Sequence, residues 1–131
     1  MSLDVSPALL AQAEAGAVEP DAFLDAVRSS LPYAYAMVER LAKEYAGGAS
    51  APFADNVVAP ADEVERGQLL RALASNAIRG SLERHFGVTL AFQNCHRLAV
   101  FPAGASDSEA YLRFTSERAQ LLNQSPELRD C

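Results

Sequence analysis

Residues 62–86 read DEVERGQLLRALASNAIRGSLERHF, and GVTLAFQNCHRLAVFP follows as residues 87–102. The first stretch carries apolar residues at helical spacing and predicts one long helix, 62–86, around which the core is built. Asp62 can cap its first turn, and Gly87 is a natural residue to end it. The second stretch changes to the alternation of apolar and polar residues that is typical of strands.

The apolar residues of the long helix do not all lie on one face. Leu69 and Leu73 share one side, whereas Leu82 and Phe86 fall on the opposite side at the helical angle of about 100° per residue. The predicted helix therefore either lies between two layers or bends near Gly80. Burial between two layers is the simpler interpretation.

The alternating stretch predicts two strands, about 88–92 and 97–101. Val88, Leu90 and Phe92 lie on one face of the first strand, and the residues between them lie on the other. A lone hairpin is marginally stable in water. We therefore expect the hairpin to pack on the helices or to pair with a second copy of the chain.

Three further helices are predicted to begin at Pro7, Pro20 and Pro32, because proline suits the first helical position. A last helix is predicted over 108–123. Residues 47–61 form a long irregular loop, for which Phe53 is a candidate anchor. The expected fold is mainly α (α+β), a single domain over 1–131, with about five helices around the long helix 62–86 and a short β-hairpin near 88–101.

The 131 residues carry a net charge of −6, with half of them apolar and 21% charged. This composition excludes disorder along the whole chain. Residues 1–65 have a net charge of −8, and residues 66–131 have a net charge of +2. An acidic protein lacks the clustered positive charge that binds nucleic acid or anionic membranes, so neither is expected as a partner. With no apolar segment of spanning length and no secretory leader, we expect a cytoplasmic protein.

Four side chains could act as soft metal ligands, namely His85, Cys95, His96 and Cys131. Their spacing contains no C-x2-C or H-x3-H pair, and Cys95 and His96 would point to opposite faces of a strand. We therefore expect no metal and no cofactor. A metal-binding or thiol-dependent role of Cys95 with His85 is the third functional hypothesis, after the two described below. The simpler interpretation of Cys95 is an inert thiol in the core.

Arginines dominate the basic residues of the second half. Arg66 and Arg84 lie at the same angle of the predicted long helix, and Arg97, Arg113 and Arg118 follow. Arginine suits the recognition of phosphate and carboxylate. A ligand site between the long helix, the hairpin and the loop 52–58 would contain Arg66, Arg84, Arg97, His85 and Cys95. Pairing of these arginines with the acids of the first half is the more economical explanation.

The stretch RGQLLRALASNAIRGSLERHFGVTLAFQNCHRLAVFP resembles a family of small actinobacterial proteins of unknown function, as do MSLDVSPALL and LLNQSPELRDC at the two ends. The resemblance covers nearly the whole chain. The resemblance implies an intracellular protein that is not a domain of a larger chain, and it assigns no role to any residue.

The leading functional hypothesis is a small cytoplasmic, non-enzymatic interaction or regulatory protein with an unknown protein partner, expected to form a homodimer. Its basis is the number of amphipathic helices for so short a chain. The alternative is a protein that binds a small anionic ligand through its arginine-rich face, and this alternative leaves an enzymatic activity open.

Overall fold

The computed structural model describes residues 3–46, 51–93 and 97–123. Within these ranges, seven α-helices surround three short strands. In chain order they are α1 Pro7–Glu14, α2 Pro20–Ser30, α3 Pro32–Ala46, β1 Ala54–Asp55, α4 Glu63–Ala74, α5 Asn76–Phe86, β2 Val88–Gln93, β3 Arg97–Pro102, α6 Glu109–Phe114 and α7 Glu117–Leu122. The predicted mainly α (α+β) class is confirmed, and so is the hairpin. None of the described helices has the length and apolar character needed to cross a membrane.

Most helices begin where the sequence supplies a side-chain cap. The Ser6 hydroxyl accepts a hydrogen bond from the Leu9 amide, and the Asp62 carboxylate accepts one from the Glu65 amide. These oxygens satisfy amide groups that have no partner inside a helix. Prolines occupy the first helical positions of α1 and α2. The starts of these helices were therefore predictable from short motifs.

The prediction of one long helix over 62–86 is wrong, because the chain breaks at Ser75. This residue is extended, with φ −91° and ψ 118°, and its hydroxyl accepts from the Ile78 amide at 3.2 Å to begin α5. The Arg79 guanidinium donates to the Leu73 carbonyl at 3.2 Å and so satisfies the end of α4. Because α5 starts again after the break, its residues point in directions that a continuous helix would not give them, and Leu82 is fully buried in the core.

The last predicted helix, 108–123, is also divided, since Ser116 caps α7 by accepting from the Ala119 amide. The two divisions account for seven described helices where about five were expected. In both places a serine competes successfully for the helix backbone, as serine does at helix starts.

The strands form an antiparallel sheet in the order β1-β3-β2. In the hairpin, Val88 pairs with Pro102 at one end and Gln93 with Arg97 at the other. The two residues of β1 were not predicted, because they lie in the stretch 47–61 that was expected to be irregular. Phe53, the expected anchor of that loop, packs with its ring centre 4.8 Å from that of Phe101.

The sheet lies between two layers of helices. Leu90, Leu98 and Val100 face the large core that they share with α2 to α5. Ala91, Ala99 and Phe101 face the opposite side, where residues of α6 and Phe53 cover them. The predicted alternation along β2 is confirmed, and the hairpin is stabilised by helices on both faces.

One buried polar side chain connects two helices of the large core. Gln68 of α4 is 7% exposed, and its Oε1 accepts from the amides of Tyr33 at 2.7 Å and Ala34 at 3.2 Å. These amides belong to the first turn of α3. A side chain distant in sequence therefore caps this helix.

Candidate anion-binding cavity

An open cavity of about 320 Å³ lies at the hairpin end of the sheet, between the sheet and α6 and α7. Its apolar wall includes Phe53, Phe114 and Leu122, and its polar lining includes three arginines. The rings of Phe53 and Phe114 meet edge to face, with their centres 5.4 Å apart. The cavity thus combines an aromatic wall with cationic groups. We call this site the arginine cavity.

Gln93 forms a fixed part of the cavity floor. Its side chain is 2% exposed, and its Nε2 donates to the Phe114 carbonyl at 2.6 Å. Its Oε1 accepts from Arg97 Nη1 at 3.4 Å. Because β2 places Gln93 on the same face as Ala91, the strand alternation carries this amide to the layer that α6 covers.

Arg97 is held by several partners. Its Nε donates to Asp55 Oδ2 at 2.8 Å, and Nη2 donates to the same oxygen. The guanidinium carbon also lies 5.2 Å from the centre of the Phe114 ring, which is a favourable cation–π distance. Asp55 belongs to β1, so the pairing of β1 with β3 brings this carboxylate beside Arg97. The positive charge of Arg97 is therefore largely compensated.

The other two arginines of the cavity differ in their pairing. Arg113 pairs with Glu109 one helical turn earlier, and both side chains are well exposed. Arg118, at the start of α7, forms no ion pair with any residue of the described ranges. Among the described residues, two of the three arginines of the cavity are paired with carboxylates, and Arg118 is not.

Asn123 contributes an unusual polar group to the same cavity. Its Nδ2 atom is buried and has no hydrogen-bond partner among the described residues. A buried amide donor without an acceptor is costly, and such groups in native proteins call for an explanation. Asn123 lines the cavity with other atoms, and the structure shows no acceptor for its Nδ2 among the described residues.

The structure distributes the predicted site residues over several places. Arg97 lines the arginine cavity, whereas Arg84 lines a separate one beside Glu83 and the first residues of β2. Arg66 of α4 is half-buried and lines neither. The ring of His85 lies outside both, with Nε2 at 3.3 Å from the Tyr35 hydroxyl. A ligand site at Arg66, Arg84 and His85 stays a prediction.

Cys95, His96 and Cys131 lie outside the described residues. Within the ranges 3–46, 51–93 and 97–123, no group of three or more His, Cys, Asp or Glu side chains is arranged to hold a metal ion. Sequence reasoning missed Gln93 and Asn123 as site residues. The alternation of β2 was an available signal for Gln93, but nothing in the local sequence marks Asn123.

A protein-family model described as "NucS shadow ORF" matches residues 1–131. The chain belongs to this family. The description names a reading frame and no activity, so it assigns no role to the residues of the arginine cavity. It names no organism either, and the actinobacterial origin stays a prediction. No curated protein and no solved structure matches the chain.

Proposed function

We propose that this protein is a small non-enzymatic binding protein of the cytoplasm, with a regulatory role exerted through an anionic small ligand held in the arginine cavity. The observation that carries the proposal is the convergence of Arg97, Arg113 and Arg118 on one cavity with an aromatic wall. Guanidinium groups are the preferred protein partners of carboxylates and phosphates. An apolar pocket with a few convergent polar groups is the usual form of a small-ligand site.

Pairing with acidic residues explains part of this arginine cluster. Asp55 accounts for Arg97, and Glu109 accounts for Arg113. It does not account for Arg118, which has no carboxylate partner within the described ranges. In a chain with a net charge of −6, an arginine held at a cavity without such a partner favours a ligand of opposite charge.

Thermal unfolding with added anions tests the proposal. Inorganic phosphate, nucleotides and small carboxylates are added to the wild-type protein, to Arg118→Gln and to Arg71→Gln. Arg71 is an exposed arginine of α4 outside the cavity, so it serves as the matched control. A ligand at a hundred times its Kd adds about 2.7 kcal/mol of stability, which corresponds to a rise in Tm of roughly 8–13 °C for a domain of this size.

The expected result is a rise in Tm with at least one class of anion that Arg118→Gln reduces and Arg71→Gln preserves. A rise that Arg118→Gln leaves unchanged would place the ligand elsewhere. If no anion raises the Tm, the arginine cavity is not an anion site.

A homodimer is the second candidate, and one observation favours it. Val57 and Val58 are adjacent and 92% and 76% exposed, the two highest values among the large apolar side chains described. Association would remove this apolar surface from water. Native mass spectrometry of the purified protein is expected to show twice the chain mass, and Val57→Asp is expected to return it to a monomer. A monomeric wild-type protein at tens of micromolar contradicts this candidate.

A further inference from the structure

We infer that the ligand of the arginine cavity is a small monocarboxylic acid with an apolar body, bound with its carboxylate at Arg118 and its body against Phe53 and Phe114. This inference rests on the anion-binding function proposed above and specifies its ligand class. It follows from the pairing of the arginines that line the cavity and from the composition of its wall.

The balance of charges selects a monoanion. Asp55 pairs with Arg97, and Glu109 pairs with Arg113, so Arg118 is the lining arginine without a carboxylate partner among the described residues. A single carboxylate neutralises the charge of Arg118. A dianionic phosphate would carry a second negative charge, and the other two arginines that line the cavity are already paired with carboxylates.

The size and wall of the cavity select an apolar body. At about 320 Å³, the cavity lies near the lower end of the range of small-molecule sites, which is about 300–1,000 Å³. Phe53, Phe114 and Leu122 provide apolar surface on which a ring or short alkyl chain can be buried. Burial of such a group contributes about 25 cal/mol for each Å² removed from water. The body of the ligand therefore supplies much of the affinity, and the carboxylate supplies its orientation.

The hydrogen-bond donors of the cavity differ in availability. Gln93 offers little to the ligand because it is 2% exposed and one of the two hydrogens of its Nε2 already donates to the Phe114 carbonyl. The Nδ2 of Asn123 has no acceptor within the described ranges. Because this atom is buried, a ligand in the cavity does not reach it. Arg118 is exposed at the cavity and provides the charged partner of the carboxylate, so the head of the ligand is held beside α7.

Isothermal titration calorimetry with four probes tests the ligand class. Phenylacetate has both the ring and the charge; phenylacetamide lacks the charge, acetate lacks the ring, and phenyl phosphate carries about two charges at neutral pH. We expect phenylacetate to bind the wild-type protein about tenfold or more tightly than each of the other three. A tenfold difference is the effect of about one charge-assisted hydrogen bond or a partly buried ring.

Two variants locate the binding. Arg118→Gln is expected to weaken phenylacetate about tenfold and to leave phenylacetamide unchanged, since only the charged head contacts Arg118. Arg71→Gln is expected to change neither. Arg118 is exposed and unpaired in the described structure, so its loss should not unfold the protein, and far-UV circular dichroism verifies this.

The outcomes separate this inference from the function on which it rests. Phenyl phosphate binding more tightly than phenylacetate, with dependence on Arg118, overturns the monocarboxylate and leaves an anion-binding cavity. Acetate binding as tightly as phenylacetate overturns the apolar body in the same way. If no anion binds, or if phenylacetamide binds as well as phenylacetate, both the ligand class and the proposed function are wrong.

Discussion

Replacement of Gln68 by methionine tests how α3 is held in the core. Gln68 Oε1 is the acceptor for the amides of Tyr33 and Ala34, at 2.7 and 3.2 Å. Methionine has a similar length and no comparable acceptor. Both amides would then lack a partner at the buried start of α3, where water has little access because Ala34 is 1% exposed.

The magnitude follows from these two bonds. Each intramolecular hydrogen bond contributes about 1 kcal/mol net, and a buried donor left without a partner costs about 1–3 kcal/mol. Some of this cost is offset because a methionine side chain gains from burial. We therefore expect Gln68→Met to lower the free energy of unfolding by about 2 kcal/mol, which is roughly 6–10 °C in Tm for a domain of this size.

Urea unfolding followed by far-UV circular dichroism measures the loss, with Gln12→Met as the matched control. Gln12 also accepts a backbone hydrogen bond, from the Glu19 amide at 3.0 Å, but that bond is exposed. The control is expected to lose less than about 0.5 kcal/mol. Gln68→Glu keeps the acceptor oxygens and should lose less than Gln68→Met. Equal losses for Gln68→Met and Gln12→Met would refute the assignment of Gln68 as a cap.

Three further predictions concern single residues. Ser75→Ala removes the cap of α5 and should cost about 1 kcal/mol in urea unfolding, whereas an unchanged midpoint would mean that the break does not depend on this hydroxyl. Phe101→Ala removes a fully buried ring and should cost about 3–5 kcal/mol, so a loss under about 1 kcal/mol would contradict its core position. Burial, followed by the charge of Glu65, raises the pKa of Tyr33 above its ordinary value of 10.0. Ionisation of Tyr33 is therefore harder in the folded state than in the unfolded state, and the stability that its neutral form contributes is lost as the pH rises above 10.0. Tyr33→Phe should flatten the decline in the free energy of unfolding at alkaline pH. Parallel pH profiles for the wild type and the variant would contradict this prediction.

Local sequence signals were sufficient for most of the fold. Pro7, Pro20 and Pro32 begin helices as predicted, because proline already has the backbone angle of a first helical turn. Both strands of the hairpin also lie where alternation placed them. Alternation is informative here because each face of the sheet meets a different apolar layer.

Ser75 shows where local signals were insufficient. The apolar spacing favours a continuous helix through LLRALASNAIRGSL, and the position of Leu82 and Phe86 on the opposite side indicated a possible bend near Gly80 and not at Ser75. The break is stabilised by two contacts that only the folded chain provides. Arg79 donates to the Leu73 carbonyl near the end of α4, and Leu82 is buried in the core.

The candidate site was less predictable than the fold. The sequence indicated that Arg97, Arg113 and Arg118 could serve an anionic ligand, but it grouped Arg97 with Arg66 and Arg84 on the assumption of one long helix. The break at Ser75 removes the shared helical face that motivated this group. The site that the structure describes depends instead on the second face of the sheet and on the way α6 and α7 cover it.

The amino-acid sequence by itself determined where the first three helices begin and where the hairpin strands lie, since prolines and apolar periodicity act over a few residues. Only the tertiary structure decided the pairing of Asp55 with Arg97, 42 positions apart, and thereby that Arg97 has a carboxylate partner. It also decided which face of β2 meets α6, and hence that Gln93 and Asn123 line one cavity. Charge compensation and cavity shape depend on distances between elements, and those distances exist only once the sheet has packed between its helices.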